Sequence, residues 1–260
     1  MAMIAVISDI HANSFALDAV LSDIKARGAT EIYCLGDLVG YNAHPGETLR
    51  MLRQADIPAV KGNHDMMAIG ELPLGGCGPN ANFSQQWTRQ QLSDDERDYL
   101  QALPMQRLVQ QDIVLLHSRL DDPLNYLSRD ADYLAEYERL RAWQPAARIC
   151  FTGHTHVARI IEITPERQLQ RLQTTVTALS SENFYFINPG SVGHPRGSDY
   201  RASYALFDQA SRQIRLLRVH YDKAAMLAVN QRVDIRTNLG PSLLEHRLAR
   251  ATQRLKKVLT

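Results

Sequence analysis

Cysteine is scarce in this chain, with three residues among 260, and the number is odd. Cys34 and Cys150 lie in apolar runs, which favours buried thiols in a reducing compartment over a disulfide framework. Cys77, in the glycine-rich stretch GGCGP, is given no ligand role. Apolar runs of membrane-spanning length are also lacking, and no basic segment of the signal-peptide kind precedes the first apolar run. We therefore expect a cytoplasmic protein without a membrane partner.

An excess of charge of one sign is lacking as well. The 29 Lys and Arg residues nearly balance the 28 Asp and Glu residues, and the formal net charge is +1. Such a balance gives no overall field for holding a nucleic acid, and no basic stripe with interleaved aromatic residues is present. Internal repeats and low-complexity linkers are not found either, so residues 1–260 are predicted to form a single domain; a homo-oligomer is left open.

Short apolar runs alternate with longer amphipathic stretches, a pattern that predicts a layered α/β domain. Strands are predicted at MIAVI, EIYCL, IPAV, DIVLL, ARICF and NFYFI, and after Ala158 at RIIEIT, LQRLQTTV, SYALFD and QIRLLRVHYD. Helices are predicted from about Asn13 to Gly28, from Pro45 to Ala55, at NANFSQQWTRQQL, after a capping box at Ser93 to Glu96, at RDADYLAEYERLRAW, and at the basic, amphipathic PSLLEHRLARATQRLKKVL. The run of strands after Ala158 predicts a mixed or antiparallel sheet there.

Polar or glycine-rich segments directly follow six of the predicted strands. They are SDIHAN, GDLVG, GNHD, HSR, GHTH and NPGSVG. Ligand sites of open α/β sheets form beyond the carboxyl ends of the strands, so these segments are expected to be neighbours in space. Each alone has an ordinary explanation as a cap, a turn or a hydrogen-bonded core residue. Together they offer seven potential metal ligands, namely Asp9, His11, Asp37, Asn63, His117, His154 and His156.

Burying so many polar groups without a partner ion would be costly, and therefore the set predicts a metal site. Oxygen ligands mixed with imidazole favour Mn, Fe, Zn or Ni over Ca. No cysteine belongs to the set, which argues against a structural zinc site. Seven ligands exceed the needs of one tetrahedral ion but suffice for two ions if one carboxylate bridges them.

The ordered motifs DIH, GD, GNHD, H and GHTH resemble those of the calcineurin-like metallophosphoesterase superfamily. The stretches CLGDLVGYNAHPGE, WTRQQL and NPGSVGHPR are similar to its small bacterial and archaeal phosphodiesterase branch. The motifs run from Met3 to Gly193. The resemblance implies a four-layer αββα sandwich with two central mixed β-sheets, and two divalent transition-metal ions, with Mn or Fe favoured and Zn or Ni left open.

The resemblance also implies roles for individual residues. One ion would be held by Asp9, His11 and His156, the other by Asn63, His117 and His154, with Asp37 bridging both. His64 would contact the phosphate and act as general acid, and Asp65 would orient it. The sequence HSR departs from the HG common in the branch, so no contact is carried over to Ser118.

The expected reaction is hydrolysis of a small phosphodiester or nucleotide-like phosphoester. Two divalent ions would leave the site positively charged and would lower the pKa of a water molecule, so hydroxide could attack and no Ser or Cys nucleophile is required. The alternatives are a dinucleoside polyphosphate hydrolase, a protein phosphatase or, in a different class, a noncatalytic metal-dependent scaffold. A scaffold would have no need of His64 and Asp65.

Other residues near the motifs could shape a substrate site. Arg119, Arg159 and Arg196 could bind phosphate oxygens, although each alone is better explained as a surface arginine. Tyr41, Asn42 and His44 could shape a substrate pocket or simply belong to a solvent-exposed loop. The segment NPGSVG could approach a phosphate or simply form a tight turn. Residues from Gly70 to Arg107 could form a lid or merely cover the core.

Overall fold

The computed structural model describes residues 2–74 and 79–235. Two mixed β-sheets lie face to face, with helices on their outer sides, as expected for an αββα sandwich. The first sheet has the strand order β2-β1-β10-β11-β8, formed by β1 (Met3–Ile7), β2 (Glu31–Cys34), β8 (Val176–Ala178), β10 (Ala202–Asp208) and β11 (Gln213–Val219). The second has the order β3-β4-β5-β9-β6-β7, formed by β3 (Gln106–Val109), β4 (Ile113–Leu116), β5 (Ile149–Thr152), β6 (Arg159–Ile163), β7 (Leu169–Leu172) and β9 (Phe184–Asn188).

Parallel pairing aligns the strand ends that matter for the site. β1 pairs in parallel with β2, and β5 pairs in parallel with β4 on one side and with β9 on the other. β10 runs antiparallel to β1, and β6 antiparallel to β9. Because the carboxyl ends of parallel strands lie at the same edge of a sheet, the loops after β1, β2, β4 and β5 emerge together.

Side-chain alternation along the strands separates two apolar layers. In β1, Ile4 and Val6 point between the sheets, while Ala5 and Ile7 point toward the helices. The inter-sheet core consists of buried residues from both sheets, including Ile4, Val6, Phe151, Ile187, Phe207 and Ile214. A third cluster lies between the second sheet and α6 (Asp130–Trp143).

The remaining helices are α1 (Ser14–Ala26), α2 (Pro45–Gln54), α3 (Asn63–Ile69), α4 (Pro79–Gln91), α5 (Asp94–Ala102) and α7 (Lys223–Arg232). α1 is capped by Asn13, whose side-chain oxygen accepts from the Ala16 amide at 3.1 Å. α5 begins with the predicted capping box of Ser93 and Glu96. Within residues 2–74 and 79–235, none of the helices combines the length and apolar character needed to cross a bilayer.

Several sequence-based predictions are wrong in detail. IPAV contributes only one bridge, between Cys34 and Ala59, instead of a strand. LQRLQTTV is divided between β7 and β8, which belong to different sheets. β3, α3 and α7 were not predicted, and Asn63, expected directly after a strand, is the first residue of α3. The predicted C-terminal helix and Cys77 lie outside the described residues.

Candidate metal centre

The seven predicted ligands meet at the edge where the parallel strands end; we call them the strand-end cluster. All are at least nine-tenths buried. Five have a left-handed backbone, with φ of 54° at Asp9, 50° at His11, 53° at Asp37, 62° at His154 and 59° at His156. This conformation is uncommon for residues other than glycine and costs on the order of 1 to 3 kcal/mol each. Its concentration here indicates that these loops are shaped by the side chains they present.

The first half of the cluster combines Asp9, His11, Asp37 and His156. The Nε2 atom of His156 lies 3.3 Å from Oδ1 of Asp9, and Nε2 of His11 lies 3.6 Å from Oδ2 of Asp37. The two Nε2 atoms are 3.0 Å apart. These four residues can offer one ligand atom each within 4.8 Å of one another, which is compact enough to surround one cation.

The second half shares Asp37 with the first. Nε2 of His117 lies 3.4 Å from Oδ2 of Asp37, 3.0 Å from Oδ1 of Asn63 and 3.2 Å from Nδ1 of His154. Asp37, His117 and His154 likewise offer ligand atoms within 4.8 Å of one another. The carboxylate of Asp37 therefore lies between two groups of ligands.

Backbone carbonyls fix the protonation of the four imidazoles. The outward-facing ring nitrogens of His11, His117, His154 and His156 lie 3.3, 2.8, 2.9 and 2.6 Å from the carbonyl oxygens of Val39, Leu35, Leu124 and His194. A carbonyl can only accept, so each of these nitrogens carries the proton. Burial lowers the pKa of His11 and His117, and lowers that of His154 to about 3, so these three rings are neutral. The inward-facing nitrogens of these three rings consequently present lone pairs.

These lone pairs face one another, which an ordinary hydrogen-bonded core would not allow. The 3.2 Å contact between Nε2 of His117 and Nδ1 of His154 has no proton to share, and Nε2 of His11 lies 3.0 Å from Nε2 of His156. A cation between them would convert the repulsion into coordination, and orienting carbonyls of this kind are typical of metal-binding histidines. The donor set therefore fits metal ions.

The surroundings of Asp37 also fit bound metal ions. Its Oδ1 atom accepts from the His64 amide at 2.8 Å, but its buried Oδ2 has no hydrogen-bond partner in the described part of the chain. Burial, reinforced by the negative charges of Asp9 and Asp65, raises the pKa of Asp37. An unpartnered carboxylate oxygen between two sets of imidazole lone pairs is the arrangement a shared pair of cations would satisfy.

Asp9 differs because its loop is held from several sides. Its carboxylate accepts from the Ser8 hydroxyl at 2.6 Å and from the His154 amide at 3.1 Å. Burial alone would raise its pKa, but the His156 ring and Ser8 outweigh burial and keep the pKa below the usual range. In NPGSVG, Ser191 donates to the Asp9 carbonyl at 2.8 Å and the Gly193 amide does so at 3.0 Å. That segment therefore supports the Asp9 loop.

His64 lies beside the cluster, in the first turn of α3. Its ring centroid is 4.7 Å from those of His11 and Tyr41, and burial lowers its pKa. Asp65 does not orient the ring as predicted: its carboxylate accepts from the amides of Leu38 at 2.8 Å and Gly62 at 2.9 Å. It therefore ties the Asp37 loop to α3. Burial raises the pKa of Asp65 to about 6, although the backbone donors oppose this.

Other residues at the centre were not assigned by sequence reasoning. Nδ1 of His64 faces the side-chain amide of Gln85 in α4. His194 stacks on Tyr41 with ring centroids 4.3 Å apart, and Tyr126 stacks on His154 at the same distance. His194 belongs to the quoted NPGSVGHPR and could have been found there, whereas nothing in the sequence marks Gln85 or Tyr126.

Of the residues proposed to shape a substrate site, some lie at the metal centre and others make contacts elsewhere. Arg196 lies over the Tyr126 ring at 5.5 Å, next to the centre. Arg119 is drawn away, since it donates to the Tyr126 carbonyl at 2.7 Å and lies 3.3 Å from Asp132. Arg159 contacts the Tyr133 hydroxyl at 3.5 Å. Asn42 donates to the His11 carbonyl at 2.7 Å and so supports the cluster.

Comparison with known proteins agrees with this centre. The family model of the calcineurin-like phosphoesterase superfamily domain matches residues 2–212. An uncharacterized protein of Methanocaldococcus jannaschii, MJ0912, is 34% identical over 223 residues, which cover 85% of this chain and 88% of that protein. A metallophosphoesterase from Sphaerobacter thermophilus superposes with a TM-score of 0.74 at 34% identity, covering 90% of this chain and 95% of that one. The hypothetical protein PH1004 from Pyrococcus horikoshii shares the fold, with a TM-score of 0.72 at 18% identity over 91% of this chain and 95% of its own.

Proposed function

Since the chain belongs to the calcineurin-like phosphoesterase superfamily, whose members hydrolyse phosphoesters with two metal ions, we propose that it hydrolyses a small phosphodiester or nucleotide-like phosphoester. The observation that carries this proposal is the convergence of Nε2 of His11 and Nε2 of His117 on the unpartnered Oδ2 of Asp37, with His156 and His154 beside these two rings.

The geometry supports the residue assignment taken from the family motifs. Asp9, His11 and His156 would hold one ion, Asn63, His117 and His154 the other, and Asp37 both. Imidazole combined with carboxylate and amide oxygen favours Mn or Fe, with Zn or Ni as alternatives. When bound, such ions supply Lewis acidity toward phosphoryl oxygens and lower the pKa of water.

The protein residues around the ions have separate tasks. His64 would donate a hydrogen bond to the phosphoryl oxygens and protonate the leaving oxygen. Burial keeps this ring neutral in the free protein, and the negative charge of a phosphoester beside it would raise its pKa toward the protonated form. Asp65 would keep the Asp37 loop and α3 in register through its backbone contacts. Arg196, at the edge of the centre, supplies positive charge for a second substrate oxygen.

Metal analysis combined with a substrate panel tests the proposal. Wild type loaded with Mn²⁺ is assayed on bis(4-nitrophenyl) phosphate, 4-nitrophenyl phosphate, diadenosine tetraphosphate and a phosphopeptide, with product analysis by chromatography. We expect two metal ions per chain and hydrolysis of the diester. Preference for the dinucleotide or the phosphopeptide would instead support a dinucleoside polyphosphate hydrolase or a protein phosphatase. Absence of all four activities in the loaded protein would favour a binding scaffold.

The variant His64→Ala separates catalysis from metal binding. We expect two bound ions and turnover reduced by about 10² to 10⁴. His220→Ala is the matched control because His220 is exposed and distant in the sequence from every motif. If His64→Ala lost its metal together with its activity, His64 would be a ligand or a structural residue.

A further inference from the structure

Exposed apolar side chains are grouped at the rim of the metal centre. Among the described residues, seven large apolar or aromatic side chains are exposed, and three of these, Leu124, Tyr126 and Val157, adjoin the strand-end cluster. The carbonyl of Leu124 accepts from the His154 ring at 2.9 Å, and the Tyr126 ring stacks on His154 with centroids 4.3 Å apart. Val157 directly follows His156. Apolar area left exposed beside a buried polar site is typical of surfaces that a ligand covers.

The ring of Tyr126 has one covered face and one open face. It lies on the His154 ring at an interplanar angle of 26°, which covers the first face. Tyr126 is still 42% exposed, so the opposite face is open to solvent. The guanidinium of Arg196 donates to the Tyr126 hydroxyl at 3.2 Å, and at 5.5 Å from the ring centroid it is not in stacking contact with the ring. An open aromatic face with a guanidinium at its edge suits a flat ring that carries a phosphate.

The loop that carries Tyr126 is fixed by its own hydrogen bonds. The side chain of Asp122 accepts from the amides of Leu124 at 3.0 Å and Asn125 at 3.1 Å. Arg119 donates to the Tyr126 carbonyl at 2.7 Å. Ordering a loop on binding costs free energy, and a loop that is already ordered avoids that cost. The open face of Tyr126 is therefore preorganised for a ligand.

We propose that Tyr126 is the platform on which the nucleobase of the substrate stacks, while Arg196 binds a phosphate oxygen. The proposal rests on the proposed function and narrows its substrates to phosphoesters of nucleosides. Tyr126 stacks on His154, whose Nδ1 lies 3.2 Å from Nε2 of His117, and that nitrogen lies 3.4 Å from Oδ2 of Asp37. Two imidazole rings therefore separate the platform from the shared oxygen, a span that the sugar of one nucleotide can bridge.

A flat ring suits this surface better than a flexible alkyl chain. Stacking needs only one open aromatic face, and it is available to every base because every base has a π-face. An alkyl chain gains most from an enclosed groove, whereas the neighbours Leu124 and Val157 are themselves exposed. The platform thus predicts a preference for nucleoside over alkyl phosphoesters, with little discrimination among the bases.

Binding of phosphomonoesters tests the platform without relying on turnover. Wild type loaded with Mn²⁺ and freed of excess metal is titrated by calorimetry with thymidine 5′-phosphate, adenosine 5′-phosphate, hexyl phosphate and methyl phosphate. We expect the two nucleotides to bind about 10- to 100-fold more tightly than methyl phosphate, because stacking adds to the shared phosphate contact. Hexyl phosphate should bind nearly as weakly as methyl phosphate.

Variants of Tyr126 and Arg196 separate the two contacts. Tyr126→Ala should weaken nucleotide binding about 10- to 100-fold and change methyl phosphate binding by less than about twofold, with two ions still bound. Tyr126→Phe keeps the ring and should keep the nucleotide affinity. Arg196→Gln should weaken nucleotides and methyl phosphate by the same factor, because it acts on the phosphate. Trp143→Ala, which removes a 43% exposed aromatic ring at the end of α6, is the matched control and should change nothing.

Four results would overturn the proposal. They are equal affinity for nucleotides and methyl phosphate, hexyl phosphate binding as tightly as the nucleotides, loss of metal from Tyr126→Ala, and equal weakening of all four ligands in that variant. The last two would make Tyr126 a support for His154 instead of a platform. A wild type that bound nucleotides through Tyr126 but hydrolysed none of the esters in the substrate panel would refute the proposed function and leave the platform standing.

Discussion

The inter-sheet core and the strand-end cluster are both almost fully buried, yet they are built on opposite principles. In the core, apolar side chains such as Ile4, Phe151 and Phe207 pack in one buried cluster, and these side chains carry no polar groups that need a hydrogen-bond partner. In the cluster, the lone pairs of His117 and His154 face each other and an oxygen of Asp37 has no partner within the described chain. The core is complete without additions, whereas the cluster needs cations to be satisfied.

Burial therefore has opposite effects on the stability of the fold in these two regions. Burial in the core stabilises the fold by removing apolar area from water. Burial in the cluster raises the pKa of Asp37 and lowers that of His11, which holds the donors ready for metal at the expense of stability. Substitutions in the two regions should therefore separate stability from metal binding.

Asp37→Asn should give the largest effect. Asn retains Oδ1 for the His64 amide but replaces the unpartnered oxygen by an NH₂, which can donate to the lone pairs of His117 and His11. We expect at least one ion to be lost and activity to fall about 10⁴-fold or more, since the ions provide several kcal/mol of transition-state stabilisation. Without metal, the variant should be as stable as wild type or more stable. Metal content, turnover and urea unfolding measure these three quantities.

Asp18→Asn is the control for the loss of a carboxylate, because Asp18 is exposed on α1. It should keep both ions and full activity. An Asp37→Asn protein that still bound two ions would refute the bridging role, and one that was strongly destabilised without metal would contradict the comparison between the two regions.

Phe207→Ala should have the converse effect. Phe207 is 2% exposed in the inter-sheet core, so its truncation should lower the free energy of unfolding by about 3 to 5 kcal/mol. Metal content per folded molecule should stay at the wild-type value, because Phe207 contributes no donor. Phe83→Ala, at a 45% exposed position on α4, should change stability by less than about 0.5 kcal/mol. Loss of metal from folded Phe207→Ala would show that the two regions are not independent.

Metal itself should stabilise the wild-type protein by mass action. At a free metal concentration 100 times the dissociation constant, one site contributes about 2.7 kcal/mol. Removing metal with a chelator should lower the melting temperature of wild type and of Phe207→Ala by similar amounts, and that of Asp37→Asn by much less. Scanning calorimetry with and without metal measures this, and an equal response of all three proteins would place the binding elsewhere.

The core and the cluster also differ in how well the sequence predicts them. The alternation of short apolar runs with amphipathic stretches predicted a layered α/β domain, and the strand-end positions of Asp9, His117 and His154 predicted that these residues meet. The two-sheet αββα sandwich was implied by the resemblance to the superfamily. The assignment of Asp9, His117 and His154 as metal ligands remains a prediction. IPAV failed as a strand because apolar character alone does not provide a second pairing partner.

Contacts between distant segments could not be predicted. Asp65 was expected to orient His64, but the turn at Gly62 brings its carboxylate to the amides of the Asp37 loop. Gln85 reaches His64 from a helix whose sequence has no chemical signature. Both depend on tertiary placement, which neither periodicity nor motif spacing encodes.

The smallest effect on stability is expected from substituting Asp132, because both of its carboxylate oxygens accept hydrogen bonds, unlike Oδ2 of Asp37. Its side chain accepts from the Arg129 amide at 3.0 Å and from the Arg129 guanidinium at 2.9 Å, and these bonds lower its pKa. A lowered folded-state pKa means that the stabilisation is complete above the unfolded pKa of about 3.9 and is lost as the pH falls below it. Asp132→Asn should therefore reduce the free energy of unfolding by about 1 kcal/mol at pH 7, a modest value because Arg129 is exposed, and by less near pH 2, where part of the stabilisation has been lost. Urea unfolding of both proteins across this range measures the difference, which should be constant from pH 7 to pH 5; a difference that grew on acidification would mean that Asp132 is not stabilised as the charged form.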